Sequence, residues 1–329
     1  MPGPSYTITF EGFDSLASYW RNPHSRLQWD CLFVLPPWLE VWWQKFGSGP
    51  DLYLCVVRKR DAILGVAPLQ LKEQEATFIG SDDVCDCLDF VVGSGSEHDF
   101  FNVLLDDLGK RGIRRMILGP LRPDSNTMRY LVGIAKDRRY EVSCEVEDIS
   151  LELDLPSTWE EYLGILSGKQ RHEVRRKLRR LHEAGEVNYR IAGDNQTVAD
   201  TIDLFLKFFQ ESRNDKEIFL TTKRESFFRS LARAMAQDRL LQIGILELDA
   251  KPVAAIMCFN YNDTVYLYNN GYDPHYRSLS IGLLSKILCI KDSIKRGRKK
   301  FDFLKGAEEY KYRLGGQEVH LQRCQIVLS

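Results

Sequence analysis

Two stretches of the 329-residue chain bring together side chains able to do chemistry. In FDFLKGAEEYKYRLGG, residues 301–316, Asp302 and Leu304 alternate with Phe301 and Phe303, so one face of an extended strand carries the carboxylate. Soon after, Glu308 and Lys311 lie three apart and Glu308 and Tyr312 four apart, spacings that share one face of a helical turn. A carboxylate base at Glu308, a phenol acid at Tyr310 or Tyr312 and an ammonium at Lys311 are the parts of a proton-transfer site. An ordinary helical ion pair also accounts for Glu308 and Lys311, and Asp302 equally suits a carboxylate that caps a loop.

The second stretch, YNNGYDPHYRSLSIGLLSKIL, residues 268–288, passes from a strand through Asn, Gly, Asp and Pro into an apolar-periodic helix. A helix start leaves unpaired N–H groups and a partial positive charge, which suits a phosphate or diphosphate. In the loop Arg277-Ser278-Leu279-Ser280-Ile281-Gly282, Ser280 and Gly282 are small enough for close backbone approach. Ser278 and Ser280 add hydroxyls there, and Arg277 adds a fixed charge. A Ser or Gly before a helix also serves as a plain cap. His275 beside the loop fits a solvent-exposed turn residue.

The elements around these stretches come in a recurring order. PPWLEVWWQKFG, residues 36–47, reads as a helix with proline at its start, Gly47 at its end and a core stripe of Leu39, Trp42, Trp43 and Phe46. LYLCVVRK, AILGVAPLQLK and ATFIG read as an antiparallel meander, followed by strand, helix, strand, helix, strand to about residue 155. From Leu240 the order returns, with hairpin turns at Asp249-Ala250-Lys251 and Asn262-Asp263. Residues 156–240 are mostly helical. Two halves with one order of elements point to a duplicated α/β unit.

Composition restricts the function classes. Forty-five basic against 46 acidic residues exclude a globally charged nucleic-acid protein, so any electrostatic role is local. The densest basic run, Lys169 to His182, holds seven Lys or Arg and one acid around an apolar seam of Val174, Leu178 and Leu181. It reads first as a solvated amphipathic helix, and second as a surface for a phosphate-rich or anionic-membrane partner. Residues 81–107 carry eight acids and no base. Within them Asp86 and Asp89 suit an amino or hydroxyl acceptor, or are surface acids. The eight scattered cysteines make no zinc or redox spacing, so a reduced, cytoplasmic, metal-free protein is expected. MPGPSYTITF carries no signal-peptide pattern, and the chain has no run of 18 apolar residues, so no transmembrane segment is expected. H-E-x-x-H, G-x-S-x-G and G-x-x-x-x-G-K-[ST] are all missing.

Together, PPWLEVWWQKFG, GVAPLQL, WEEYLGILSGKQRHEVRRKLRRL and the block from Lys251 to Gly316 resemble the GNAT acyltransferase superfamily, in its CelD/BcsL-type branch, similar in architecture to the Fem aminoacyltransferases. The family's cofactor loop, Arg/Gln-x-x-Gly-x-Gly/Ala, is matched by Arg277, by Ser280 in place of Gly, and by Gly282 or its neighbour Leu283. The resemblance implies an α+β chain of tandem GNAT-like folds, each a mixed, mainly antiparallel sheet flanked by helices. Residues 1–155 would be a degenerate first repeat, and 156–329 the acyltransferase domain with a helical insertion at about 156–239. It implies acetyl-CoA or another acyl-CoA as donor, held by Tyr268, Asn269, Asn270 and residues 277–282. Glu308, Asp302, Tyr310 and Lys311 would then do the chemistry, and the acceptor would be a small molecule or glycan precursor. The equivalent loop of the first half, VVGSGSEHDFF, has no Arg and places Glu97 and Asp99 where a diphosphate would be repelled. Two rivals stay open: a Fem-like aminoacyl-tRNA-dependent transferase using the basic helix, and a non-catalytic binding module.

Overall fold

The computed structural model describes residues 5–193, 197–212 and 219–328. Of MPGPSYTITF, the first four residues lie outside the described part, as do residues 194–196 and 213–218 of the helical middle. The chain divides into two units, Met1–Ile149 with Val319–Ser329, and Ser150–Glu318.

The first unit holds strands β1 (Tyr6–Phe10), β2 (Leu27–Gln28), β3 (Asp51–Lys59), β4 (Ala62–Lys72), β5 (Glu75–Phe78), β6 (Val91–Gly93), β7 (Arg115–Leu121) and the start of β8 (Glu141–Asp154). Its helices are α1 (Phe13–Arg21), α2 (Pro36–Phe46), α3 (Glu97–Lys110) and α4 (Val132–Asp137). The ladder β1–β3–β4–β5 is antiparallel; β5 then pairs parallel with β7, across the crossover that contains α3. In α2 the two prolines fill the first turn, and Trp38, Leu39, Val41 and Trp42 are buried, while Trp43 and Phe46 of the expected stripe are half-buried.

The second unit holds α5 (Trp159–Ile165), α6 (Gly168–Ala184), β9 (Val187–Ala192), α7 (Val198–Ser212) and α8 (Thr222–Gln237). There follow β10 (Leu241–Leu248), β11 (Lys251–Tyr261), β12 (Thr264–Tyr272), α9 (Ile281–Lys295), β13 (Lys300–Lys305) and α10 (Glu309–Arg313). Capping boxes start α5 and α6, with Thr158 opposite Glu161 and Ser167 opposite Gln170. Both hairpins turn through paired positive φ angles, Asp249 and Ala250 at 50° and 61°, Asn262 and Asp263 at 46° and 57°, the conformation that matches strand twist. The ladder β9–β10–β11–β12 is antiparallel, β12 pairs parallel with β13, and β13 pairs antiparallel with the end of β8.

Adjacent residues of β12 meet different helices. A Cβ on Gly271 would strike the backbone of Phe208 and Phe209 in α7, and Tyr272 lies against Gly282 in α9. Because neighbouring strand residues point to opposite faces, α7 and α9 cover the two sides of this sheet. Each unit shows the expected class, a mixed, mainly antiparallel sheet with helices on it, and the order of strands in one repeats in the other. The last strand, β14 (Gln317–Val327), is antiparallel to β7, so its register is set by the first unit.

One expectation is corrected. Cys144 of β8 and Cys324 of β14 form a disulfide, because neighbouring strands bring their Cα atoms to 4.2 Å although 180 residues separate them in sequence. Spacing in the chain carries no trace of such a pair. Two further thiol pairs are close, Cys31 with Cys87 at 3.6 Å and Cys258 with Cys289 at 3.8 Å. Reducing the Cys144–Cys324 bond should cost about 2–4 kcal/mol by freeing the unfolded chain. Urea unfolding with and without dithiothreitol checks this, and an unchanged midpoint in wild type would contradict it.

Candidate active site

The parallel pair β12–β13 is short. Only Thr264↔Lys300, Val265↔Phe301 and Tyr266↔Asp302 are in register, and beyond them the strands part. Both strands bulge at that level. The β11–β12 register shifts between Met257 and Cys258, leaving Tyr268 extra, and the β13–β8 register shifts between Asp302 and Leu304, leaving Phe303 extra. A bulge bends and twists its strand, so bulges on either side of one ladder favour the parting of the strand ends, the candidate cleft.

Buried polar groups hold the β13 side. The Asp302 carboxylate accepts from the Leu304 N–H at 2.8 Å and the Ser150 hydroxyl at 3.3 Å, while Leu304 itself takes φ 61°. The ammonium of Lys311, 2% exposed, donates to the carbonyls of Leu304 and Gly306 at 2.9 Å and to that of Lys305. It also pairs with Glu308 at 2.9 Å. Glu308 is exposed and packs over Gly306, whose φ of 101° is strained for any residue with a side chain. Lys311 therefore fixes the loop and carries no unspent donor for a phosphate.

On the β12 side the chain enters α9 through a tight turn. Asp273 accepts from the His275 N–H at 2.9 Å, residues Pro274–Leu279 form a 3-10 turn, and Ser280 takes the left-handed conformation at φ 58°, ψ 33°. Glycine is the usual residue there, and an L side chain costs about 1–2 kcal/mol, so the Ser280 departure from the loop pattern falls where the pattern needs Gly. The N–H groups of Leu283 and Leu284 both bond the Ser280 carbonyl; among the described residues those of Ile281 and Gly282 have no acceptor. Gly282 is required for a further reason, since a Cβ would lie 2.7 Å from the Tyr272 ring. Ser278 and Arg277 are exposed and Leu279 half-buried, and among the described residues no ion pair to Arg277 is formed.

Two lysines not singled out from the sequence complete the site. Lys286, 6% exposed, donates to the Gly282 carbonyl at 2.7 Å and lies 4.7 Å from the Tyr310 ring centre, linking α10 to the first turn of α9. Lys177 of α6 donates to the Ser280 hydroxyl at 2.7 Å. A signal existed for each: Lys177 falls between Val174 and Leu181 at helical spacing, and Lys286 is i+4 from Gly282 in an otherwise apolar run. Of the two candidate phenols, Tyr310 meets α9 through Lys286, whereas Tyr312 donates to Glu318 at 2.6 Å, a bond that raises its pKa.

The remaining candidates make contacts of their own. Tyr268 packs against the rings of Phe228 and Phe259 at 5.6 and 5.4 Å, while Asn269 and Asn270 are half-buried just beyond the bulge. In the first unit Asp89 is buried and accepts from the N–H groups of Asn126 and Thr127, the Asn126 amide and the Thr127 hydroxyl, capping the turn at Thr127–Leu131. Burial pushes its carboxyl up to about 6 against the pull of those donors. Asp86 is half-buried and has contacts of its own. Asp99 of the acidic α3 start pairs with Lys59 at 2.9 Å, which holds its carboxyl below the usual range.

Residues 168–312 match the family of the Acetyltransferase (GNAT) domain. That span runs from α6 through α10 and so contains the strand cleft, the turn and both lysines. The fold is similar to that of FemX, at 11% identity and a TM-score of 0.62 over 97% of this chain and 96% of that one. It is also similar to a conserved protein of unknown function from Bacteroides thetaiotaomicron, at 13% identity and 0.61 over 98% and 100%. A third likeness is to L-PGS from Bacillus licheniformis, at 11% and 0.51 over 88% and 90%. At these identities the likeness is one of fold. A search of curated proteins gave no significant match. Among the described residues no cluster suited to a metal ion is present, and no helix is long and apolar enough to cross a membrane.

Lys311→Met leaves three carbonyls without their donor and should cost about 3 kcal/mol or more of stability. Denaturant unfolding checks it; a loss under 1 kcal/mol would mean the loop holds itself. Asp89→Ala removes the acceptor of four bonds and should likewise cost about 2 kcal/mol, read as a lower melting temperature.

Proposed function

We propose that this chain is an acyl-CoA-dependent acyltransferase of the CelD/BcsL type, moving an acyl group directly to an amine or hydroxyl of a sugar, nucleotide-sugar or other cell-envelope precursor. One observation carries the reading. The cleft where β12 and β13 part opens beside a turn with two amides that lack acceptors and an exposed Arg277. The residues fit the donor: the Ile281 and Gly282 N–H groups, the Ser278 and Ser280 hydroxyls and Arg277 hold a diphosphate, with Leu279 shaping the turn. Asn269 and Asn270, past the Tyr268 bulge, offer amide partners to the pantetheine arm. When bound, the donor supplies an activated thioester carbonyl.

The chain's own groups then divide the work. Glu308, exposed and steadied by Lys311, takes the acceptor proton. Tyr310, set under the Lys286 ammonium, returns a proton to the leaving thiolate. Asp302 and Lys311 act on position, by keeping the cleft open. The first unit, with its acidic α3 start, is a degenerate repeat that takes no donor. The donor places the reaction in the cytoplasm; the Cys144–Cys324 disulfide is the observation that pulls the other way.

A second reading, a Fem-like aminoacyl-tRNA-dependent transferase, draws on exposed Arg175, Arg179 and Arg180 of α6. Calorimetric titration separates the two. The expected result is saturable binding of acetyl-CoA, weakened at least about tenfold in Arg277→Glu by charge reversal. Wild-type protein that ignores acetyl-CoA but binds tRNA with steep salt dependence would overturn the first reading in favour of the second.

A further inference from the structure

The basic run of α6 meets the donor turn at one residue. α6 packs against both the 3-10 turn and α9. Lys177 projects from this helix with its side chain 19% exposed, and its ammonium lies 2.7 Å from Ser280 Oγ. An ammonium has three donors. Two are accounted for, one on Ser280 and one on Glu173 at 3.3 Å, and Glu173 is itself held by Arg176 at 2.8 Å. The other acid at the turn, Asp273, is engaged by the His275 ring at 2.7 Å. Lys177 and Arg277, from two separate elements, thus bring two positive charges to one turn. The acids nearby are already neutralised by other cations or taken by a neighbouring donor. That surplus, with one ammonium donor unspent, is complementary to a dianion.

We propose that Lys177 is a donor-specificity residue, binding the diphosphate together with Arg277 so that a donor carrying a diphosphate is bound more tightly than a phosphate-free pantetheine thioester. The inference rests on the acyl-CoA reading above. A purely structural Lys177 would cap Ser280 and steady the packing of α6, and would affect all ligands of the cleft alike.

The test is calorimetry on the full chain with CoA and with pantetheine, which shares the thiol arm and lacks the diphosphate. Lys177→Met keeps the aliphatic stem and removes the charge. It is expected to weaken CoA binding about tenfold and to leave pantetheine binding unchanged, while Lys177→Arg recovers most of the loss. Circular-dichroism melts verify folding, and Lys177→Gln serves if the Met variant does not fold. Equal CoA affinity in wild type and in the folded variant overturns the inference alone. Parallel losses for CoA and pantetheine assign Lys177 to structure and overturn it too. Absence of CoA binding in wild type overturns the acyl-CoA reading, and the inference with it.

Discussion

The constraint on which the site depends is the early end of one hydrogen-bond ladder. Parallel strands β12 and β13 stay together for three residue pairs and then separate. In a closed ladder the backbone groups of Tyr268 to Gly271 would be spent on the neighbouring strand, and no cleft would exist. Two bulges prevent closure. Each needs compensation, since an unpaired polar backbone inside a protein is costly. On β13 Asp302 supplies it by accepting from Leu304, and Lys311 by donating to three successive carbonyls. The residues that look most catalytic by type are thus partly occupied in keeping the cleft open. Their neighbours Glu308 and Tyr310 are more open to solvent.

Electrostatics follows the same division. Lys311 and Lys286 are nearly inaccessible, and their charges are balanced by carbonyl dipoles, a carboxylate and an aromatic face. Burial of a charge without such partners would cost several kcal/mol, so both are committed to the architecture around α9 and α10. Arg277 and Lys177 differ, being open to solvent or only partly spent. Around α9 the buried charges are therefore committed, and Arg277 and Lys177 are the ones left to adapt. The corresponding helix start in the first unit, at Glu97 and Asp99, has the opposite sign. One order of strands, used twice, carries a helix start preceded by Arg277 in one copy and beginning with Glu97 and Asp99 in the other.

Local pattern was enough for much of this. The Asp249 and Asn262 hairpins, the proline start of α2 and the strand–turn–helix passage at 268–288 all depend on neighbours within a few residues, and their physics is written in that spacing. The duplicated order of elements and the mixed, mainly antiparallel class follow from the same periodicities. The Cys144–Cys324 bond was illegible for the opposite reason: strands 180 residues apart in sequence became neighbours only through sheet order.

The candidate site shows where that boundary falls. The sequence by itself determined that a loop rich in small and hydroxylated residues, led by Arg277, enters a helix, and that carboxylate, phenol and ammonium groups follow the next strand. Only the tertiary structure decided which phenol meets α9, that Asp302 and Lys311 brace a bulge, and that a lysine 103 residues upstream rests on Ser280. Hydrogen bonds along a turn are set by nearby dihedral angles, whereas contacts between distant residues exist only once apolar faces have packed and brought their elements together.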